Sequence, residues 1–140
     1  MMRLGSKISI FVYVLVSSWS LPGWAADIPW KIDEPAAQQL AAEANGEAYR
    51  PDQFRKSDDR KSAPFFVVDL YAWHADIGVI DSFAINPWTG DVWDLLGCYK
   101  LLNYELRQSQ LKVRKQFTHE ELKHYDELAA IRPKCLYSDW

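Results

Sequence analysis

Cysteine is scarce in this chain of 140 residues: there are two, Cys98 and Cys135. With no further thiol and no histidine cluster beside them, they do not make a zinc site, which draws several ligands from those residue types. The pair His119 and His124, in His119-Glu120-Glu121-Leu122-Lys123-His124, is spaced i,i+5. On a helix that places the rings about 140° apart, off the shared face that an i,i+4 zinc-protease pair occupies. No metal site is expected. Glycine is also sparse, and no Gly-rich phosphate loop is present, so no cofactor is expected. The G-x-S-x-G elbow of serine hydrolases is missing. Asp69, Asp81, Asp91 and Asp94 supply carboxylates without a spacing recognisable for glycoside chemistry. The chain has no internal repeat and no low-complexity segment. Basic residues do not dominate either, with a formal net charge of -3, which excludes the basic footprint of a nucleic-acid binder.

What is present at the N-terminus is the layout of an export signal. Arg3 and Lys7 precede an apolar run from Ile8 to Val16, too short for the roughly 20 residues that span a bilayer. Ser17, Ser18, Pro22-Gly23 and Trp24-Ala25-Ala26 follow, giving a charged, an apolar and a small-residue region in order. Cleavage after Ala25 puts Gly23 and Ala25 at the small-residue subsites, so residues 1–25 are expected to be removed and Ala26 to start the mature chain. An N-terminal membrane anchor is the competing reading. No cysteine lies near the cut, which excludes a lipoprotein. The expected location is the periplasm, with no membrane attachment after cleavage.

Residues 26–140 suffice for one domain. Removing Arg3 and Lys7 from the 16 basic residues leaves 14 against 19 acidic ones, a net charge of -5. The acidic excess falls in residues 26–97, with 6 Lys/Arg against 13 Asp/Glu, and suits a basic protein partner. In an oxidising compartment an even pair of cysteines reads as a disulfide, Cys98–Cys135, contributing about 3 to 4 kcal/mol through loop closure. The catalytic alternative, Cys98 as a nucleophile assisted by His74, is disfavoured because a thiol with a partner is normally oxidised there.

Along the mature chain, Asp33 and Pro35 open a helix whose Leu40, Ala41, Ala44 and Ala48 form a narrow small-residue face, ended by Gly46 and Pro51. Residues 50–64 lack apolar period and read as a solvated loop, with a charged binding segment as the alternative. Phe65 to His74 then alternates as a strand, with Phe66, Val68, Leu70 and Ala72 toward the core and Phe65, Val67, Asp69, Tyr71 and Trp73 away from it. Asp76-Ile77-Gly78 turns into a second strand, Val79 to Asn86, in which Phe83 and Ile85 share a face. Asn86-Pro87-Trp88-Thr89-Gly90 is a turn before a third strand, Asp91 to Leu95. Helical period returns after Cys98: Asn103 caps a helix with the stripe Leu102, Leu106, Val113 and Phe117. Thr118 and Glu121 form a capping box, and Phe117 and Leu122 take the staple positions of a second helix with Leu122, Tyr125, Leu128 and Ala129 inward, stopped by Pro133. The predicted fold is α+β: a three-stranded antiparallel meander with an N-terminal helix, a C-terminal helix pair and one disulfide.

Aromatic residues stand in unusual places. Trp88 sits at a hairpin tip, and Trp73 and Tyr71 share the strand face opposite the apolar one. Such residues anchor protein interfaces when exposed. The alternative is that a helix covers that face and Trp88 folds back over Pro87. The candidate partner-binding set is therefore Trp88, Asp91, Trp73, Tyr71, Asp76 and Asp81, and no catalytic residue is assigned. His74-Ala75-Asp76 leaves a small hydrolase as an alternative in which a carboxylate orients an imidazole.

An export signal, a small α+β domain with one disulfide, no catalytic motif and the hairpin Asn86-Pro87-Trp88-Thr89-Gly90-Asp91-Val92-Trp93 resemble the small periplasmic immunity proteins that bacteria make against type VI secretion effectors. The resemblance implies a non-enzymatic inhibitor that plugs the active site of a secreted toxin enzyme, one that attacks the cell wall or acts elsewhere in the periplasm. An envelope-assembly or structural interaction protein is the alternative outside that class.

Overall fold

The computed structural model describes residues 21–72 and 78–137. The first long helix, α1 (Glu34–Ala44), starts where expected: the Asp33 carboxylate accepts from Ala36 N–H at 3.0 Å, and Pro35 occupies the first turn. Ala37, Leu40 and Ala41 are its buried residues. Ala48 does not continue that face, because Gly46 takes φ 63° and leads the chain into a short exposed 3-10 turn.

Five strands follow in an antiparallel meander of order β1-β2-β3-β4-β5: β1 (Phe54–Lys56), β2 (Phe66–Tyr71), β3 (Val79–Ile85), β4 (Val92–Asp94) and β5 (Tyr99–Lys100). The three predicted strands are the central ones, and the expected count of three is corrected to five. The added edge strands are too short for any period to show. In β1 Phe54 is buried while Arg55 and Lys56 are exposed, so part of the predicted solvated loop pairs with β2 through Phe54↔Leu70 and Lys56↔Val68. The second edge strand, β5, has two residues.

Three helices close the chain: α2 (Tyr104–Arg114), α3 (His119–Leu122) and α4 (Tyr125–Ala130). Asn103 caps α2 through Leu106 N–H at 2.8 Å, and its amide donates to the Glu43 and Ala44 carbonyls, tying the start of α2 to the end of α1. Leu106, Val113 and Phe117 are buried, whereas Leu102 precedes the cap and is 81% exposed. The Thr118–Glu121 capping box forms. The helix it opens breaks after Leu122, so the predicted pair is a helix plus two short pieces. The break leaves Leu122 exposed and turns Leu128 fully into the core. Phe117 meets the Tyr125 ring edge-on at 5.1 Å.

The main core lies between one sheet face and the helices. Phe54, Val68, Leu70, Phe83, Ile85 and Val92 pack there with Leu40, Leu106, Val113 and Leu128. The other face carries a smaller cluster, Phe65, Val67, Ala84, Trp93 and Leu95, with Ile131 against it. Among the described residues it is the C-terminal segment, from Ile131 on, that lies against it. Leu136 N–H donates to the Leu95 carbonyl at 3.0 Å, Lys134 N–H to Ser62 Oγ at 2.9 Å, and Cys98–Cys135 links that segment to the β4–β5 turn. The disulfide is the one expected from the sequence.

The N-terminal segment belongs to this packing. Ile28 and Ile32 are buried, Ala25 is fully enclosed, and the Trp24 ring stacks on His124 at 4.5 Å. Cleavage after Ala25 would remove the last two contacts and keep the first two residues. Lys31 bridges to Glu121 at 2.8 Å, with its ammonium also 5.0 Å from the Phe117 ring centroid. The Lys31 contact, followed by the Thr118 N–H bond, lowers the Glu121 carboxyl from its ordinary 4.5. A lowered native value gives stability that is complete above pH 4.5 and lost as pH falls through that native value. Thermal melts from neutral pH down to about 2 should therefore show a stability loss in the wild type that Glu121→Gln lacks, the two proteins converging at the acid end. Parallel curves at all pH values would remove the ion pair from the acid response.

Candidate functional site

The turn singled out in the sequence is interior. Asn86 Oδ1 accepts from the Trp88 and Thr89 N–H groups at 2.9 and 3.2 Å, and Gly90 takes φ 73°, which closes the loop tightly. The Pro87 carbonyl accepts from Lys31 N–H at 2.9 Å, and the Asn86 amide donates to the Leu128 carbonyl at 2.9 Å. Trp88 is 2% exposed and donates from Nε1 to the Ile28 carbonyl at 2.8 Å. The expectation of an accessible Trp88 anchor is thus corrected: residues 28–32 and α4 enclose the tip. A β-carbon at Gly90 would approach Leu40 Cδ1 to 3.2 Å, a measure of how closely α1 sits on the turn.

The four strand carboxylates separate by what holds them. Asp69 is buried and takes the Arg60 guanidinium at 3.1 Å together with the Ser82 hydroxyl, and Arg60 also donates to Ser82. Asp91 is engaged by Lys100 at 3.0 Å and by Thr89 Oγ1 at 2.9 Å. Asp94 accepts the Leu96 and Gly97 N–H groups at 2.8 and 2.7 Å, which shapes the β4–β5 turn. Asp91 is therefore held by its own neighbours within the fold. Asp81 differs. It accepts from the N–H of its neighbour Ser82, at 2.7 Å, and among the described residues no cation lies within ion-pair distance of it. Burial, with Asp94 adding repulsion, raises its carboxyl above the ordinary 3.8.

Asp81 lines a shallow hollow of about 190 Å³ at the start of β3, walled by Arg60, Ser82 and the β4–β5 turn residue Leu96 and by Leu136 and Tyr137 of the C-terminal segment. The rim is apolar: Ile80 is 47% exposed and Leu96 49%, with Val79, Leu136 and Tyr137 also exposed. Of the described members of the predicted set, this hollow takes in Asp81. Tyr71 is half-buried and pairs with Val79 at the same end of the β2–β3 pair, but it does not line the hollow; the Arg55 guanidinium lies 5.4 Å from its ring centroid. Trp73, His74 and Asp76 lie outside the described residues.

Leu96, Leu136 and Tyr137 were missed in the sequence. Leu136 and Tyr137 directly follow Cys135, so a disulfide to Cys98 implied that this segment returns to the β4–β5 turn beside Leu96. A second, larger hollow of about 450 Å³ lies beneath residues 57–65, next to Trp30, whose ring meets Phe66 edge-on at 5.3 Å. Among the described residues no group of His, Cys, Asp or Glu is placed to hold a metal ion, and no helix is long and apolar enough to cross a membrane.

No family model matches the chain, and no curated protein matches it. Among solved structures, it is similar to a chain in "Structure of a type VI secretion system effector-immunity complex from Pseudomonas protegens", with 19% identity, a TM-score of 0.48, and coverage of 69% of this chain and 88% of that one.

Proposed function

We propose that this chain is an exported, non-enzymatic inhibitor of the immunity kind, which acts in the periplasm by binding and neutralising a secreted toxin enzyme. The observation that carries the reading is the Asp81 hollow: a carboxylate with no salt-bridge partner among the described residues, ringed by exposed apolar side chains. Apolar contact area around a few charged groups is how protein interfaces are built, and desolvated charge without an internal partner suits a complementary one. The order of charged, apolar and small residues over 1–25 supports export, and the Cys98–Cys135 bond fits an oxidising compartment. The disulfide also holds two walls of the hollow in place before any partner arrives, which lowers the entropy cost of binding.

The reading is tested by co-exporting the chain with the exported enzyme encoded beside its gene in a susceptible cell. Survival should be restored by the wild type and lost with Ile80→Arg or Leu96→Arg, both at exposed positions where the thermal midpoint should shift by only a few degrees. If the adjoining genes encode no exported toxin, or the wild type gives no protection, the inhibitor reading fails.

A further inference from the structure

We propose that the hollow at the start of β3 seats one basic side chain, lysine or arginine, presented by the partner protein. This deepens the inhibitor reading and rests on it for the partner's identity. Two charges line the hollow, Arg60 and Asp81, but Arg60 makes its ion pair with the buried Asp69 behind the lining and donates to Ser82, so the three groups together carry one net negative charge and Arg60 offsets Asp81 only in part. An incoming cation would complete the compensation that the Ser82 N–H and Arg60 give Asp81 only in part, and would offset the nearby Asp94. The rim matches the rest of such a side chain, since lysine and arginine lay their methylene stems along apolar surface while the charged head finds its partner. Val79, Ile80, Leu96 and Leu136 provide that surface.

Size argues for a side chain over a free small molecule. The hollow holds about 190 Å³, whereas small-molecule sites usually run from about 300 to 1,000 Å³ and bury most of their ligand. The overall charge points the same way: the chain carries a formal net charge of -3, which favours encounter with a basic surface.

The test titrates the isotopically labelled protein with N-acetyl-arginine amide and, in parallel, with the neutral citrulline counterpart, following backbone amide shifts. The arginine probe should give saturable shifts at Ile80, Ser82, Leu96 and Leu136, and the citrulline probe should not. Asp81→Asn keeps the shape and the Ser82 N–H bond, and should bind the arginine probe at least about tenfold more weakly. Leu96→Ala, at an exposed position, should weaken it several-fold while leaving the rest of the spectrum in place. Equal binding of the two probes, equal binding by Asp81→Asn, or no saturable shift in the wild type would overturn the proposal. The probe contains no toxin, so the result stands apart from the protection assay. Probe binding without any cognate toxin would uphold the hollow and sink the inhibitor reading. A toxin neutralised equally by wild type and Asp81→Asn would do the reverse.

Discussion

Trp88→Ala should lower the thermal midpoint by about 15 °C or more, because a buried tryptophan truncated to alanine costs about 3 to 5 kcal/mol and each kcal/mol shifts a small domain by several degrees. The ring is 2% exposed, in the cluster that joins α1, the sheet and α4. Its Nε1 also satisfies the Ile28 carbonyl at 2.8 Å, an acceptor that would otherwise be left buried and unpaired. Against the 5 to 15 kcal/mol typical of a domain, the combined loss brings the protein close to unfolding at ambient temperature. The more conservative Trp88→Phe keeps most of the apolar volume and should lose about 1 to 3 kcal/mol, which isolates the hydrogen bond. Melts followed by near-ultraviolet dichroism measure both. Had Trp88 been the exposed interface anchor that its place in the turn suggested, alanine would cost binding at a nearly unchanged midpoint. A midpoint within a few degrees of wild type would restore that view and contradict the packing described.

Cys98→Ser and Cys135→Ser should each cost about 2 to 5 kcal/mol, and the double variant little more than either single one. The bond spans 37 residues of chain. In the chain-entropy account a loop of that length contributes about 3 to 4 kcal/mol by restricting the unfolded ensemble. A second consequence is local. The segment carrying Leu136 and Tyr137 is held by the bond and by the Leu136–Leu95 and Lys134–Ser62 hydrogen bonds. Without the bond that segment should exchange its amide hydrogens faster, and the wall it gives to the Asp81 hollow should loosen. Denaturant titrations of the three variants, with hydrogen exchange at Leu136, check both effects. Additive losses would mean that the two sulfurs contribute separately.

The sequence was most readable where structure is written locally. Asp33, Asn103 and Thr118 each announce a helix start through a side-chain oxygen three residues from the N–H it accepts. The alternation of Val68 and Leu70 against Val67 and Asp69 likewise assigns two sheet faces within a few residues. Trp88 was noticed and misplaced, because what buries it is 60 residues away at Ile28 and about 40 residues away at Leu128. No local pattern reports that enclosure. The edge strands β1 and β5 escaped for a different reason, being three and two residues long and owing their existence to partners rather than to period. Asp81 was named among several acidic residues, but its distinction came only from seeing which of the others were already held.

The Lys31–Glu121 contact joins positions 90 residues apart, and Trp88 reaches back 60 residues to Ile28. A chain delivered N-terminus first, from a ribosome or through a translocation channel, therefore presents its first sealing segment long before the helices that seal it. The sheet can assemble early, because β2, β3 and β4 follow one another directly. The lid over the Asn86–Gly90 turn comes last, after α4 has emerged. Until then Trp88 and its apolar neighbours remain open to solvent, so the interval between synthesis and completion is when this domain is most exposed to aggregation and most in need of an escort.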